Sequence, residues 1–71
     1  MTKNMERIIL YDASKRGLNV NIDLEHLDGL WTQYVIQWGD KDLERITISK
    51  NETISHKYDY RTTYTIKVKR L

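Results

Sequence analysis

The chain has no cysteine, no proline and only three glycines. Without cysteine there is no disulfide, no thiolate metal ligand and no thiol nucleophile, and the redox compartment stays open. Without proline, low-complexity tracts or internal repeats, no segment reads as a linker, so residues 1–71 form one small domain. Long apolar runs are also missing. The longest near the N-terminus is Ile8-Ile9-Leu10, too short for the core of a secretion signal or for a membrane span. Starting at Met1, the chain is therefore expected to stay where it is made, in a host cytoplasm or a virion. An extracellular location is the alternative if it was cut from a longer secreted protein. Charge of one sign is scarce as well. The net charge is +2, and Lys67, Lys69 and Arg70 make the one local basic cluster. Binding nucleic acid by charge needs several convergent cations, so a solvated strand face is the better reading of that cluster.

What is present is alternation. Leu18, Val20, Ile22 and Leu24 alternate with Asn19, Asn21, Asp23 and Glu25. The same period of two runs through Tyr34, Ile36 and Trp38, through Ile46 and Ile48, and through Tyr64, Ile66 and Val68. One buried and one wet face per strand is the pattern of an antiparallel sandwich. Gly17, Gly29 and Gly39 fall at the breaks, two of them beside an aspartate, as turns require. The predicted fold is all-β: a small Ig-like antiparallel β-sandwich of about six to seven strands. The expected core includes Ile8, Val20, Ile22, Ile36, Trp38, Ile48, Ile66 and Val68. Residues 24–31 read as a loop with at most one helical turn. Lys50-Asn51-Glu52 reads as the turn of a hairpin joining strands at Ile46–Ser49 and Thr53–Ser55.

Three landmarks then fall in a known order. Asp28-Gly29 precedes Tyr34-Val35-Ile36-Gln37-Trp38-Gly39-Asp40, and His56-Lys57-Tyr58 is followed by Tyr64-Thr65-Ile66-Lys67-Val68. From Leu18 onward this resembles the PKD (polycystic kidney disease) domain of the Ig-like superfamily. Lys41 stands where that family has a second turn glycine, Thr62-Thr63 where it has a glycine before the last strand, and Ile36 where it has an aromatic. The resemblance implies a β-sandwich and an adhesive or spacer role in larger extracellular proteins. Fold transfers across such a resemblance better than role.

No motif selects a chemistry. No serine sits in a nucleophile elbow, and His26 and His56 have no partner at zinc-ligand spacing. Asp40, Asp42 and Glu44 invite a calcium reading, but Arg45 occupies the position where an EF-hand loop needs glycine, and Asp42 and Glu44 should share one outer strand face. Asp12, Asp23 and Asp28 could gather at one end of the sandwich. Asn51-Glu52-Thr53 matches a glycosylation sequon, which acts only on secreted proteins. Tyr58 is the candidate for a hydrogen bond to nearby backbone in the manner of a tyrosine corner. No catalytic residue, metal or cofactor is expected.

The function expected is therefore a non-enzymatic protein-interaction or structural domain. Bacteriophage virion proteins that decorate capsids or tails are its first setting. The alternatives are an excised extracellular adhesion or carbohydrate-binding module, and a small intracellular inhibitor or adaptor. Met5, Ile9, Tyr11, Trp31 and Tyr60 are the candidate partner-binding residues, with residues 1–7 as an N-terminal arm. The partner expected is a protein such as a capsid or tail subunit, with homo-oligomerisation open and neither membrane nor nucleic acid involved.

Overall fold

The computed structural model describes residues 5–27 and 29–71. Six strands carry the fold: β1 (Met5–Asp12), β2 (Asn19–Leu24), β3 (Thr32–Gln37), β4 (Leu43–Ile48), β5 (Glu52–Lys57) and β6 (Thr63–Arg70). A single helical turn, α1 (Ala13–Arg16), joins β1 to β2. It forms because the Asp12 carboxylate accepts the Ser14 amide at 3.0 Å, capping a stretch too short to be helical by itself. The Ser14 hydroxyl and amide, aided by Lys15, hold the Asp12 carboxyl below the ordinary value despite some desolvation.

The strands divide unequally. One sheet has the order β1-β6-β3-β4, the other only β2-β5, and every pairing is antiparallel. The period-two pattern fixes the register. Val20, Ile22 and Leu24 of β2 turn inward, as do Tyr34 and Ile36 of β3 and Tyr64, Ile66 and Val68 of β6, and all are buried. The expected core stands except at Ile8, which is 62 % exposed. In the run Ile8-Ile9-Leu10 the alternation is hidden. Pairing with β6 decides it: Ile9 lies opposite the buried Ile66, so Ile8 and Leu10 face out.

Two further expectations are corrected. Lys50-Asn51-Glu52 closes no hairpin: β4 pairs with β3 and β5 with β2, so these residues cross from one sheet to the other. Glu44 lies on the inward row with Ile46 and Ile48, and its carboxylate accepts the Trp38 indole N–H at 3.2 Å. The loop expected over residues 24–31 is found from residue 25 on: residues 25–27 and 29–31 hold a turn closed by the Leu30 amide on the Leu27 carbonyl, while Leu24 ends β2.

The layers are joined by aromatic rings. Trp38, fully buried just past β3, stacks on His56 of β5 with ring centroids 4.5 Å apart and planes 8° from parallel. His56 meets the ring of Tyr58 edge-on at 4.8 Å, and Tyr58 stacks on Tyr64 of β6. The Tyr58 hydroxyl donates to the Trp38 carbonyl, across the core rather than to nearby backbone. The short local bond belongs instead to Tyr64, whose hydroxyl reaches the Tyr60 carbonyl at 2.7 Å, four residues upstream. Burial, reinforced by the Asp40 charge, pushes the Tyr58 phenol far up, so it remains a protonated donor.

Gly39 is required where the chain leaves β3. Its φ is +89°, and a Cβ there would lie 2.6 Å from the Thr65 carbonyl oxygen of β6. Gly39→Ala is expected to destabilise the fold by about 2 kcal/mol or more, since strain and a backbone clash act together. Tyr58→Phe is expected to cost about 1–3 kcal/mol, because it leaves the buried Trp38 carbonyl unpaired. Urea unfolding followed by circular dichroism measures both. A Tyr58→Phe midpoint equal to the parent's would mean that this bond contributes nothing.

Candidate functional site

The two sheets present unlike outer faces. On the two-stranded sheet the outward residues are Asn19, Asn21 and Asp23 opposite Lys57, Ser55 and Thr53. Two of the three pairs bond across the ladder: Ser55 Oγ lies 2.6 Å from Asn21 Oδ1, and Thr53 Oγ1 lies 2.6 Å from Asp23 Oδ1. That surface is polar throughout.

The outer face of the four-stranded sheet is different. Ile8 lies opposite Lys67, Lys67 opposite Gln37, and Gln37 opposite Leu43, which makes one row across all four strands. The next row runs Glu6, Lys69, Val35, Arg45. Leu10 and Thr65 begin a third. Exposed apolar side chains thus stand on both edge strands, with Ile8 62 %, Leu10 75 % and Leu43 54 % exposed. Between and beside them stand Lys67, Lys69 and Arg45, with Glu6 as the one acid on the two complete rows. Lys67 and Lys69 point outward as the alternation requires. Their strand, β6, is interior to the sheet, so they are not edge lysines guarding against strand addition.

The residues expected at a partner surface do not converge. Tyr11 is buried, and its hydroxyl donates to the Gly17 and Asn19 carbonyls at 2.8 Å, which tie β1 to the start of β2. It is a core residue, and the reading of it as an exposed contact is corrected. Ile9 is partly buried against the core. Met5 is 54 % exposed, with its sulfur 2.7 Å from an Arg70 guanidinium nitrogen. Trp31 and Tyr60 are exposed, but at opposite ends of the sandwich, before β3 and before β6 respectively. Of the proposed arm, Met5–Arg7 belong to β1, and residues 1–4 lie outside the described residues. Sequence reading missed Ile8, Leu10 and Leu43 as surface residues. The signal lay in their register opposite Lys67, Thr65 and Gln37, which pairing alone reveals.

The aspartates expected at one end separate too. Asp12 and Asp23 sit at opposite ends of the strands, and Asp28 lies outside the described residues. Asp40 instead meets His56, sixteen residues on, with Nε2 to Oδ2 at 2.8 Å. Burial alone would push the Asp40 carboxyl up. The Asp42 amide on Oδ1 at 2.8 Å and the His56 ring outweigh it, so the carboxyl is held below the ordinary carboxylate value. His26 is remote from this pair, its amide donating to Asn51 Oδ1 at 2.8 Å.

No family model, no curated protein and no solved structure matches this chain.

A carboxyl held low in the folded state stabilises the fold above its unfolded value and loses that contribution as pH falls through the folded one. Asp40→Asn is therefore expected to lower the urea midpoint near neutral pH. The gap between variant and parent should begin to narrow as pH falls below about 4 and close only below the lowered folded-state value, where both states bind the proton. A gap that persisted unchanged into strong acid would show that the Asp40 charge is not what stabilises the turn.

Proposed function

We propose that the chain is a non-enzymatic protein-interaction domain whose docking surface is the outer face of its four-stranded sheet. The observation that carries this reading is the contrast between the two outer faces. One is polar throughout, with two of its three cross-strand pairs hydrogen-bonded. The other sets Ile8, Leu10 and Leu43, all more than half exposed, beside Lys67, Lys69 and Arg45. Apolar area in water is the driving force for association, and cations beside it select a partner with acidic groups. A sheet is a rigid platform, so little conformational freedom is lost when its side chains are covered.

The setting we propose is a bacteriophage virion, where the domain would sit on a capsid or tail subunit. Its support is the smallness of the core, since a partner that binds only the folded form adds to the stability of a marginal domain. The PKD-like landmarks support a sandwich used for contact rather than catalysis.

The double substitution Ile8→Thr and Leu10→Thr keeps strand-favouring residues while removing apolar contact area. It is expected to leave the circular dichroism spectrum unchanged and to weaken cosedimentation with capsid or tail particles by about tenfold or more. Unchanged cosedimentation would overturn the docking face. In an electrophoretic shift assay with duplex DNA, salt-sensitive binding abolished by Lys67→Glu and Lys69→Glu would replace the protein partner with nucleic acid.

A further inference from the structure

Asp42 adds a third donor to the Asp40–His56 pair. Its Oδ2 lies 3.8 Å from His56 Nε2, and one ligating atom from each of the three residues falls within 4.8 Å of the others. Two donor atoms that share a first-row ion at about 2.0–2.2 Å lie roughly 3–3.5 Å apart, so the 2.8 Å and 3.8 Å separations from Nε2 need only small side-chain shifts to reach coordination spacing. Each is also aimed. The β3–β4 turn positions the two aspartates, because Asp40 Oδ1 accepts the Asp42 amide and leaves Oδ2 directed at the ring. The imidazole is pinned on one side by the parallel Trp38 indole and met by the Tyr58 ring. It cannot turn away without opening the core, and its side chain is only 11 % exposed. The Asp42 side chain, 67 % exposed, leaves the cluster open to water on one side. An oriented histidine, an oriented carboxylate and an accessible second carboxylate make three protein positions with the rest open to water.

The geometry points to Asp40, Asp42 and His56 as a site for a divalent transition metal ion, in which Nε2 and one oxygen of each carboxylate ligate the metal. An imidazole nitrogen favours zinc, nickel or copper over calcium and magnesium, which take oxygen ligands. Nε2 must be free of hydrogen to ligate. The neutral ring then carries its hydrogen on Nδ1, and an imidazolium first releases a proton to water. The bound ion would staple the β3–β4 turn to β5 and so join the two sheets at a second point beside the Trp38 stack. This inference does not rest on the docking reading above.

The test uses the full chain without a histidine tag, carrying Trp31→Phe so that Trp38 is the only indole. Titration with nickel chloride is expected to quench Trp38 fluorescence, because the ion would ligate the ring stacked on that indole. Zinc chloride should raise the thermal midpoint by several degrees, as a ligand of the folded form alone must. Calcium and magnesium chloride should do neither. Asp42→Asn, at an exposed turn position that leaves the core intact, is expected to weaken nickel binding about tenfold or more. His26→Asn should leave it unchanged. Binding weaker than about 1 mM would overturn the inference, leaving a hydrogen-bonded histidine–aspartate pair that holds no ion. So would affinity indifferent to Asp42→Asn, or affinity lost in His26→Asn.

Discussion

The structure depends on one contact above the others, the face-to-face stack of Trp38 on His56. A four-stranded sheet and a two-stranded sheet differ in width, so the small sheet covers only part of the large one. Sheets pack about 10 Å apart, a distance that large flat rings span with little loss of rotamer freedom. Trp38 continues from β3 in the large sheet, and His56 sits on β5 of the small one. Tyr58 and Tyr64 extend the stack back to β6. The polar atoms of these rings are satisfied inside the protein. The Trp38 indole reaches Glu44, and the hydroxyls of Tyr58 and Tyr64 reach main-chain carbonyls. Among the described residues, no buried side-chain nitrogen or oxygen lacks a partner. The core is therefore held by rings whose polar ends are bonded, and it tolerates no simple exchange of one aromatic for a smaller group.

That unequal pairing of sheets governs the surface. With only β2 and β5 on one side, two of the three outward pairs of the small sheet bond across their own ladder. The large sheet has six-residue and eight-residue strands whose outward side chains are too unlike to do so. Lysine and arginine there have one carboxylate, Glu6, on the two complete rows, and the flanking isoleucine and leucines have none of the polar cover that the other face enjoys. Two layers built from one alternating code thus end with one polar face and one that sets exposed apolar side chains beside cations.

Much of this was legible in the residues. Alternation assigned the inward and outward sides of β2, β3 and β6 correctly: polar residues separate the apolar ones in β2 and β6, and in β3 Gln33 and Gln37 flank Tyr34-Val35-Ile36 on the outward parity. It failed at Ile8-Ile9-Leu10, where three apolar side chains follow one another and only the opposed Ile66 decides which points in. It failed differently at Lys50-Asn51-Glu52. Turn chemistry says that the chain reverses there, but it carries no information on whether the next strand joins the same sheet or the opposite one. Tyr11 was unreadable for a related reason. A tyrosine near a strand end can be wet or buried, and burial here is decided by two carbonyls, of Gly17 and Asn19, that its hydroxyl happens to reach. The Asp40–Asp42–His56 cluster could not be read from spacing, since its histidine comes from another sheet.

The same turn connects these features. Trp38 follows β3, Asp40 and Asp42 form the turn, and Leu43 begins β4 opposite Gln37 on the outer face of the large sheet. Six consecutive residues, Trp38 to Leu43, therefore pass from the centre of the core to the outer face of the large sheet. The Trp38 amide donates to the Asp42 carbonyl, and Asp40 holds the Asp42 amide, so the turn closes on itself before it meets His56. Gly39 lets the chain pass against β6 at a distance no side chain would permit. A residue that enters a sheet from so constrained a turn has little freedom in where it points. Leu43 is exposed, yet its backbone is fixed from one side by the β3 ladder and from the other by a turn anchored to the opposite layer. An apolar side chain held in water by a rigid backbone cannot fold back to cover itself, and this is the physical property a docking surface needs.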